Sequence, residues 1–215
     1  MISIVIPACN EENYIKDTLE SIKMQDFKNY EIIVICNGCT DNTEPIAKKY
    51  TKNVFNLKEG AVLKAKNFGA EKAKGDLIIF LDADTKFKKE TALSNIVKSN
   101  IKLGTCKFIP DKKELRFKMF AVLKNLFTYI MGGANGILIC TKEIFDIIKG
   151  FDTDVFPREN YFFLKKAKKY SKFILLKDYV ITSMRRHKEI GYLSLTKYWL
   201  DVTFSKEKKE YEVIR

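Results

Sequence analysis

Asp82 and Asp84 stand one residue apart at the end of an apolar run, residues 77–81. Two carboxylates so spaced can share a divalent cation when a turn breaks the strand alternation, and hard Mg2+ or Mn2+ prefers such oxygens together with those of a phosphate. The plainer alternative is that Asp84 caps the following turn with Thr85. Cys36 and Cys39 form a C-x-x-C, which raises zinc or redox chemistry as options. No second such pair exists and His187 is the only histidine, so a four-ligand zinc site would need scattered partners. Free, reduced thiols at all five cysteines, in a cytosolic protein, are the simpler expectation.

The elements that must position these groups follow from hydrophobic periodicity. Residues 2–6 and 32–35 are short β-branched runs, each followed by a polar, helix-starting stretch, which is the rhythm of parallel βα units. Asn10 is the expected cap of a first helix carrying Ile15, Leu19 and Ile22 at spacings of four and three. A second helix follows Thr40 and Thr43 and ends near Tyr50, and a third spans residues 61–74. Residues 77–81 then read as a fully buried strand, so Asp82 and Asp84 would project from its carboxyl end, where open α/β sheets bind their ligands. Beyond Asp111, a capping box with Glu114 is expected to open a helix reaching about Met131. A glycine-rich break (Gly132, Gly133, Gly136), a strand at 137–140 and helices at 142–148 and 159–170 complete the pattern.

The 215 residues, 46% of them hydrophobic, suffice for one well-buried core, and a single domain with two functional halves is expected. The formal net charge is +12, and residues 158–215 hold 15 Lys/Arg against 7 Asp/Glu. Such a surface attracts phosphates on nucleic acid, on an anionic bilayer or on a lipid phosphate, and equally matches the lysine-rich surfaces of thermophile proteins. No nucleic-acid-binding signature accompanies the charge, so a nucleic-acid partner is not expected. No secretory leader is expected at the start of the sequence, and residues 119–131, interrupted by Lys124 and Asn125, fall short of a membrane span. The 115–131 helix carries Phe117, Phe120, Leu123, Phe127, Tyr129 and Ile130 among Arg116, Lys118 and Lys124. It reads either as an interfacial helix receiving a polyprenyl phosphate or as an ordinary core helix.

Four motifs occur in an order that resembles family 2 of the inverting glycosyltransferases, which have the GT-A fold. They are Ser3-Ile-Val-Ile-Pro-Ala-Cys-Asn-Glu-Glu12, Val34-Ile-Cys-Asn-Gly-Cys-Thr-Asp-Asn-Thr43, Ala65-Lys66-Asn67-Phe68-Gly69 with Gly75-Asp76, and Phe80-Leu-Asp-Ala-Asp84. The resemblance implies an α/β fold: a Rossmann-like, mostly parallel sheet flanked by helices, with residues 1–110 binding a nucleotide-sugar and 111–215 the acceptor. It implies that Pro7, Ala8, Asn10, Glu11, Asn37 and Lys66 line the base and ribose pocket, and that Asp82, Ala83 and Asp84 contact the nucleotide-sugar, with the two aspartates holding Mn2+ or Mg2+ under the diphosphate. Many relatives have two aspartates where Cys36 and Asn37 stand, and an arginine in place of Lys66. A carbonyl of Asn37 can still accept from a uracil N–H, so a UDP-sugar is the first expectation and a GDP-sugar the second.

Gly150-Phe-Asp152, Arg158-Glu-Asn160 and Leu164-Lys-Lys-Ala-Lys-Lys-Tyr170 are similar to the family's acceptor segments. The resemblance makes Glu159 the general base for an acceptor hydroxyl on a glycan; a polyprenyl-phosphate acceptor would need none. Asn160 stands where a second acid is usual. Thr182-Ser-Met-Arg-Arg-His187 also resembles a late family segment, in which Arg185 and Arg186 compensate the leaving diphosphate; His187 reads either as a third metal ligand or as an ordinary surface histidine. The alternative reading, carried by Cys36, Asn37 and Asn160, is a non-catalytic nucleotide-sugar or glycan-binding protein on the same scaffold. A cytoplasmic location, at most associated with the inner face of the membrane, accompanies both.

Overall fold

The computed structural model describes residues 1–58, 62–153, 159–189 and 191. In chain order these form β1 (Ile2–Ala8), α1 (Ile15–Lys23), β2 (Tyr30–Asn37), α2 (Thr43–Lys48), β3 (Val54–Leu57), α3 (Val62–Lys72), β4 (Leu77–Leu81) and β5 (Thr85–Phe87). Next come α4 (Ala92–Lys98), β6 (Leu103–Pro110), α5 (Leu115–Met131), β7 (Ile137–Thr141), α6 (Lys142–Ile147), α7 (Glu159–Ala167), β8 (Ile174–Thr182) and α8 (Arg185–Glu189).

The strands form one sheet in the order β3-β2-β1-β4-β7-β6-β8-β5. β1 pairs in parallel with both β2 and β4, β2 with β3, and β6 with β8. β7 runs antiparallel to β4 and β6, as β5 does to β8. The chain builds outward from β1 through β2 to β3 and then returns to β1's other edge with β4. That reversal opens a crevice at the carboxyl ends of β1 and β4.

Residues of β1, β2 and β4 are buried on both faces because helices cover each side, which is why they read as continuous apolar runs and not as alternating ones. One face buries Ile4, Ile6, Val34 and Leu81 against Ile15, Leu19 and Ile22 of α1, with Phe117 and Phe120 of α5 beyond them. The other buries Val5, Ile33, Ile35 and Phe80 against Leu63, Ala65 and Ala70 of α3 and Phe163 and Leu164 of α7. α3 presses so closely on β1 that a Cβ on Gly69 would lie 2.3 Å from Val5 Cγ1.

Two expected caps are corrected. Tyr14 occupies the N-cap of α1, while Asn10 sits in the left-handed region at φ 54° with its side chain turned to a neighbouring loop. Glu114, without a side-chain capping bond, precedes α5, and Asp111 Oδ1 instead accepts from Met184 N at 2.9 Å. In both places a tertiary partner outcompetes the local backbone for a short polar side chain.

Candidate functional site

The crevice is lined first by two loops laced together. After β1, Asn10 Oδ1 accepts from Thr40 N at 2.8 Å, Glu11 N donates to Thr43 Oγ1 at 2.7 Å, and Glu12 N donates to Asp41 Oδ2 at 3.0 Å. Glu12 Oε2 returns the link by accepting from Asn42 N at 3.0 Å. Pro7 and Ala8 stand in register with Ile35 and Cys36, so the ends of β1 and β2 open side by side. Asn37, last in β2, is 3% exposed, and its Oδ1 has no hydrogen-bond partner among the described residues. Since buried acceptors are seldom left unpaired, that oxygen is a ready receptor for a ligand N–H.

Cys39 Sγ donates to Ala8 O at 3.4 Å, at the floor of the same loops. Its thiol is held down at about 7 chiefly by the hydrogen bond from Cys36, whose own thiol is pushed up by that bond and by burial. All five cysteines are free thiols.

The acidic turn after β4 is pinned from three sides. Asp82 N donates to Gly136 O at 2.9 Å, Thr85 N to Asp82 O at 3.0 Å, and Thr18 Oγ1 of α1 to Ala83 O at 2.8 Å. Gly136 has φ 76°, and a Cβ there would lie 2.4 Å from Thr85 Oγ1, so only glycine fits. Asp82 projects into solvent beside the half-buried Asp84.

Arg185 closes the site from the far end of the chain. Ser183 N donates to Asp84 O at 3.3 Å and Met184 N to Asp111, which aims the first residue of α8 back at the crevice. The Arg185 guanidinium donates to Glu11 Oε1, lies 3.4 Å from Asp84 Oδ2, and stacks on Tyr14 at 4.5 Å. Side chains of Arg185, Glu11 and Asp84 are 16%, 13% and 14% exposed. Burial works against the charge on Arg185, but the bond to Glu11 and the charges of Glu11 and Asp84 raise its affinity for the proton above the ordinary value. The side chain of Arg186 lies outside the described residues.

Two residues further along, on the opposite side of the turn, His187 is buried with its ring 4.5 Å from Phe120 and 6.3 Å from Phe117. It serves the wall formed by α5, and among the described residues no three His, Cys, Asp or Glu side chains converge as a metal set. The expected trio of Asp82, Asp84 and His187 is therefore not assembled, since residues two apart in a helix face opposite ways.

A second group joins the two halves. Asn67 of α3 grips one residue of the Gly-Phe-Asp segment through both of its polar groups, accepting from Phe151 N at 2.9 Å and donating to Phe151 O at 2.8 Å. Buried Lys66 places its ammonium 5.2 Å from the Phe151 ring, and that ring stacks on Phe163 of α7 at 4.4 Å. Glu159, half-buried, is the first residue of α7, and Asn160 Nδ2 donates to its Oε1 at 3.3 Å. Thr18, Tyr14 and Gly136 also shape the site, through the bond to Ala83 O, the ring under Arg185 and the bond from Asp82 N. The glycine-rich break was the only signal for Gly136, while Thr18 and Tyr14 left none.

Residues 3–111, half of the chain, match the family model described as Glycosyl transferase family 2. The chain belongs to that family. Among curated glycosyltransferases, the poly(ribitol-phosphate) beta-N-acetylglucosaminyltransferase TarS of Staphylococcus aureus is 35% identical over 98 residues, covering 41% of this chain and 17% of TarS. The putative teichuronic acid biosynthesis glycosyltransferase TuaG of Bacillus subtilis is 35% identical over 97 residues, covering 42% of this chain and 38% of TuaG. The chain thus spans well under half the length of these family 2 relatives. Among solved structures, S. aureus TarS 1-349 in complex with UDP-GlcNAc superposes with TM-score 0.69 at 23% identity, over 86% of this chain and 58% of that one. The mannosyltransferase PcManGT from Pyrobaculum calidifontis, in complex with GDP-Man and Mn2+, gives 0.72 at 18% identity, over 97% and 65%. At these identities the likeness concerns the fold, and this family 2 chain has the GT-A fold.

Proposed function

We propose that this chain transfers a sugar from a nucleotide-diphosphate sugar to an acceptor hydroxyl or lipid phosphate, with inversion at the anomeric carbon. The observation that carries this reading is the convergence of Asp84, Glu11 and Arg185, drawn from both ends of the sequence, on the crevice between β1 and β4. In this reading residues 1–110 bind the donor and 111–215 the acceptor.

The donor set at Asp82 and Asp84 fits Mn2+ or Mg2+: both are hard oxygen ligands, the turn is rigidly held, and Asp82 is open to solvent. Such an ion, when bound, supplies positive charge under the diphosphate. Asn37 Oδ1 receives a base N–H, as uracil N3–H can supply, and Pro7, Ala8, Asn10 and Lys66 bound the base and ribose. Arg185, joined by Arg186, turns from Asp84 and Glu11 to the departing diphosphate as its charge develops. Glu159 takes the proton of an acceptor hydroxyl, a step that a phosphate acceptor does not need. The free cysteines suit the reducing cytoplasm.

A thermal-shift screen of UDP-, GDP-, CDP- and dTDP-sugars, each with and without Mn2+, tests the proposal, because a ligand that binds only the folded chain raises its melting temperature. The expected result is a metal-dependent shift with a UDP-sugar, followed by slow hydrolysis of that donor. A shift without any turnover would favour a non-catalytic nucleotide-sugar-binding protein, and no shift at all would remove the donor assignment.

A further inference from the structure

α5 has an outer face that the rest of the described chain does not cover. Its inner face is fully engaged: Phe117, Phe120, Ala121 and Thr128 are buried. Asn125 locks the helix to β6, accepting from Phe108 N at 3.0 Å and donating to Phe108 O at 2.9 Å. On the opposite side, Leu115, Met119, Val122, Leu123, Leu126 and Ile130 recur at spacings of four, three, one, three and four, which aligns them in one stripe along the whole helix. These six side chains are 55% to 73% exposed. An apolar stripe of that continuity is uncommon on a surface facing only water.

The stripe is framed by cations. Lys112, Lys113, Arg116 and Lys118 are exposed around its N-terminal end, and Lys168 lies at the other, donating to Met131 O. Arg116 pairs with Glu114 and Lys112 approaches Asp111 at 3.8 Å, but Lys113 and Lys118 have no ion-pair partner among the described residues. Packing two copies through this stripe would bring like-charged rims together on a chain of net charge +12. An anionic bilayer instead meets both features, with apolar side chains entering the acyl boundary and ammonium groups meeting headgroups. At 17 residues the helix is too short to cross a bilayer, and among the described residues no helix is long and apolar enough to do so.

We propose that α5 seats this chain on the surface of an anionic membrane, lying parallel to it with the Leu115-to-Ile130 stripe immersed. The seat does not depend on the transfer reading. It does place the crevice near the bilayer surface, since Asp111, four residues before α5, holds the backbone of Met184 beside Arg185.

The test is co-sedimentation of the full chain with phosphatidylcholine vesicles and with vesicles containing phosphatidylglycerol, with no nucleotide or acceptor present. Binding to the anionic vesicles should be at least about tenfold tighter than to the neutral ones and should weaken with salt. The double variant Leu123→Glu/Leu126→Glu should lose it by about tenfold or more while keeping its melting temperature and its donor-induced shift. A second variant, Lys113→Ala/Lys118→Ala, should weaken anionic binding several-fold with the stripe intact. Failure to bind anionic vesicles, or equal binding by the Glu variant, would overturn the proposal. So would a lipid-free dimer that the Glu variant dissociates, which points to a second copy. A large fall in the lipid-free melting temperature of that variant also counts against it, because the stripe would then be covered by another part of this chain.

Discussion

Arg185 Nη2 lies 3.4 Å from Asp84 Oδ2 while the same guanidinium is bonded to Glu11, so one cation from residue 185 is shared by two carboxylates from the first 84 residues. All three side chains are more than four-fifths buried, and a charge left alone there would be costly. The crevice is therefore held together by the residue that the proposed transfer assigns to the leaving group.

Removing that cation should have two effects. Arg185→Ala leaves Glu11 and Asp84 facing each other, and a loss of about 1–3 kcal/mol in unfolding free energy is expected by denaturant titration. The same variant should bind Mn2+ more tightly, since the Arg185 cation no longer competes for Asp84. Calorimetry showing weaker Mn2+ binding in the variant would contradict the competition.

Asp84→Asn keeps size and shape at a turn held by backbone bonds to Gly136 and Thr18. Its circular dichroism should match that of the parent chain, while sugar transfer becomes undetectable and the Mn2+-dependent thermal shift disappears. An active Asp84→Asn chain would sink the metal assignment.

Glu159→Gln should lower transfer to a hydroxyl acceptor by about 10²–10⁴. Donor affinity should hardly change, because Glu159 belongs to α7 and not to the laced loops after β1 and β2. Initial rates with a hydroxyl and with a phosphate acceptor are the measurement: the variant should lose the first transfer and keep the second. Unchanged turnover in the variant would reassign Glu159 as merely a favourable acid at a helix start.

Gly69→Ala is expected to destabilise despite alanine's better helix propensity. That propensity offers about 1 kcal/mol at most, whereas the new methyl would meet Val5 Cγ1 at 2.3 Å inside a strand with both faces covered. Overpacking of this kind costs about 1–3 kcal/mol, so a lower melting temperature should result.

Cys39 should be the more reactive thiol of the C-x-x-C pair, because the hydrogen bond from Cys36 lowers it to about 7. The thiolate gains population as pH rises through that value, so iodoacetamide labelling of Cys39 should climb between about pH 6 and 8. Cys36→Ala removes the donor and should move the midpoint up toward the ordinary thiol range. A bound donor should slow labelling, since Cys39 contacts Ala8 at the base of the pocket.

Much of the fold from β1 to β4 was legible in the sequence. Unbroken β-branched runs became β1, β2 and β4, since helices on both faces allow no polar alternation, and the Ile15, Leu19, Ile22 periodicity became the buried face of α1. Position after a buried strand was enough to single out Asp82 and Asp84. The later elements were harder: β3, β5, α4, β6, β8 and α8 were not anticipated. β5 is three residues long and β6 is bulged against β8 between Cys106 and Lys107, so neither presents a clean period. Asn10 and Asp111 were misjudged as caps because their partners, Thr40 and Met184, lie 30 and 73 residues away.

Local pattern along the chain sufficed for the βα rhythm, the acidic turn, the ordered motifs and the excess of positive charge. Only the folded chain shows that Arg185 meets Glu11 and Asp84, that His187 turns into the α5 wall, that Asn67 holds Phe151, and that the apolar stripe of α5 faces outward. Each of these depends on how segments distant in the chain are placed against one another, and that placement is set by sheet order and helix packing, which no local period encodes.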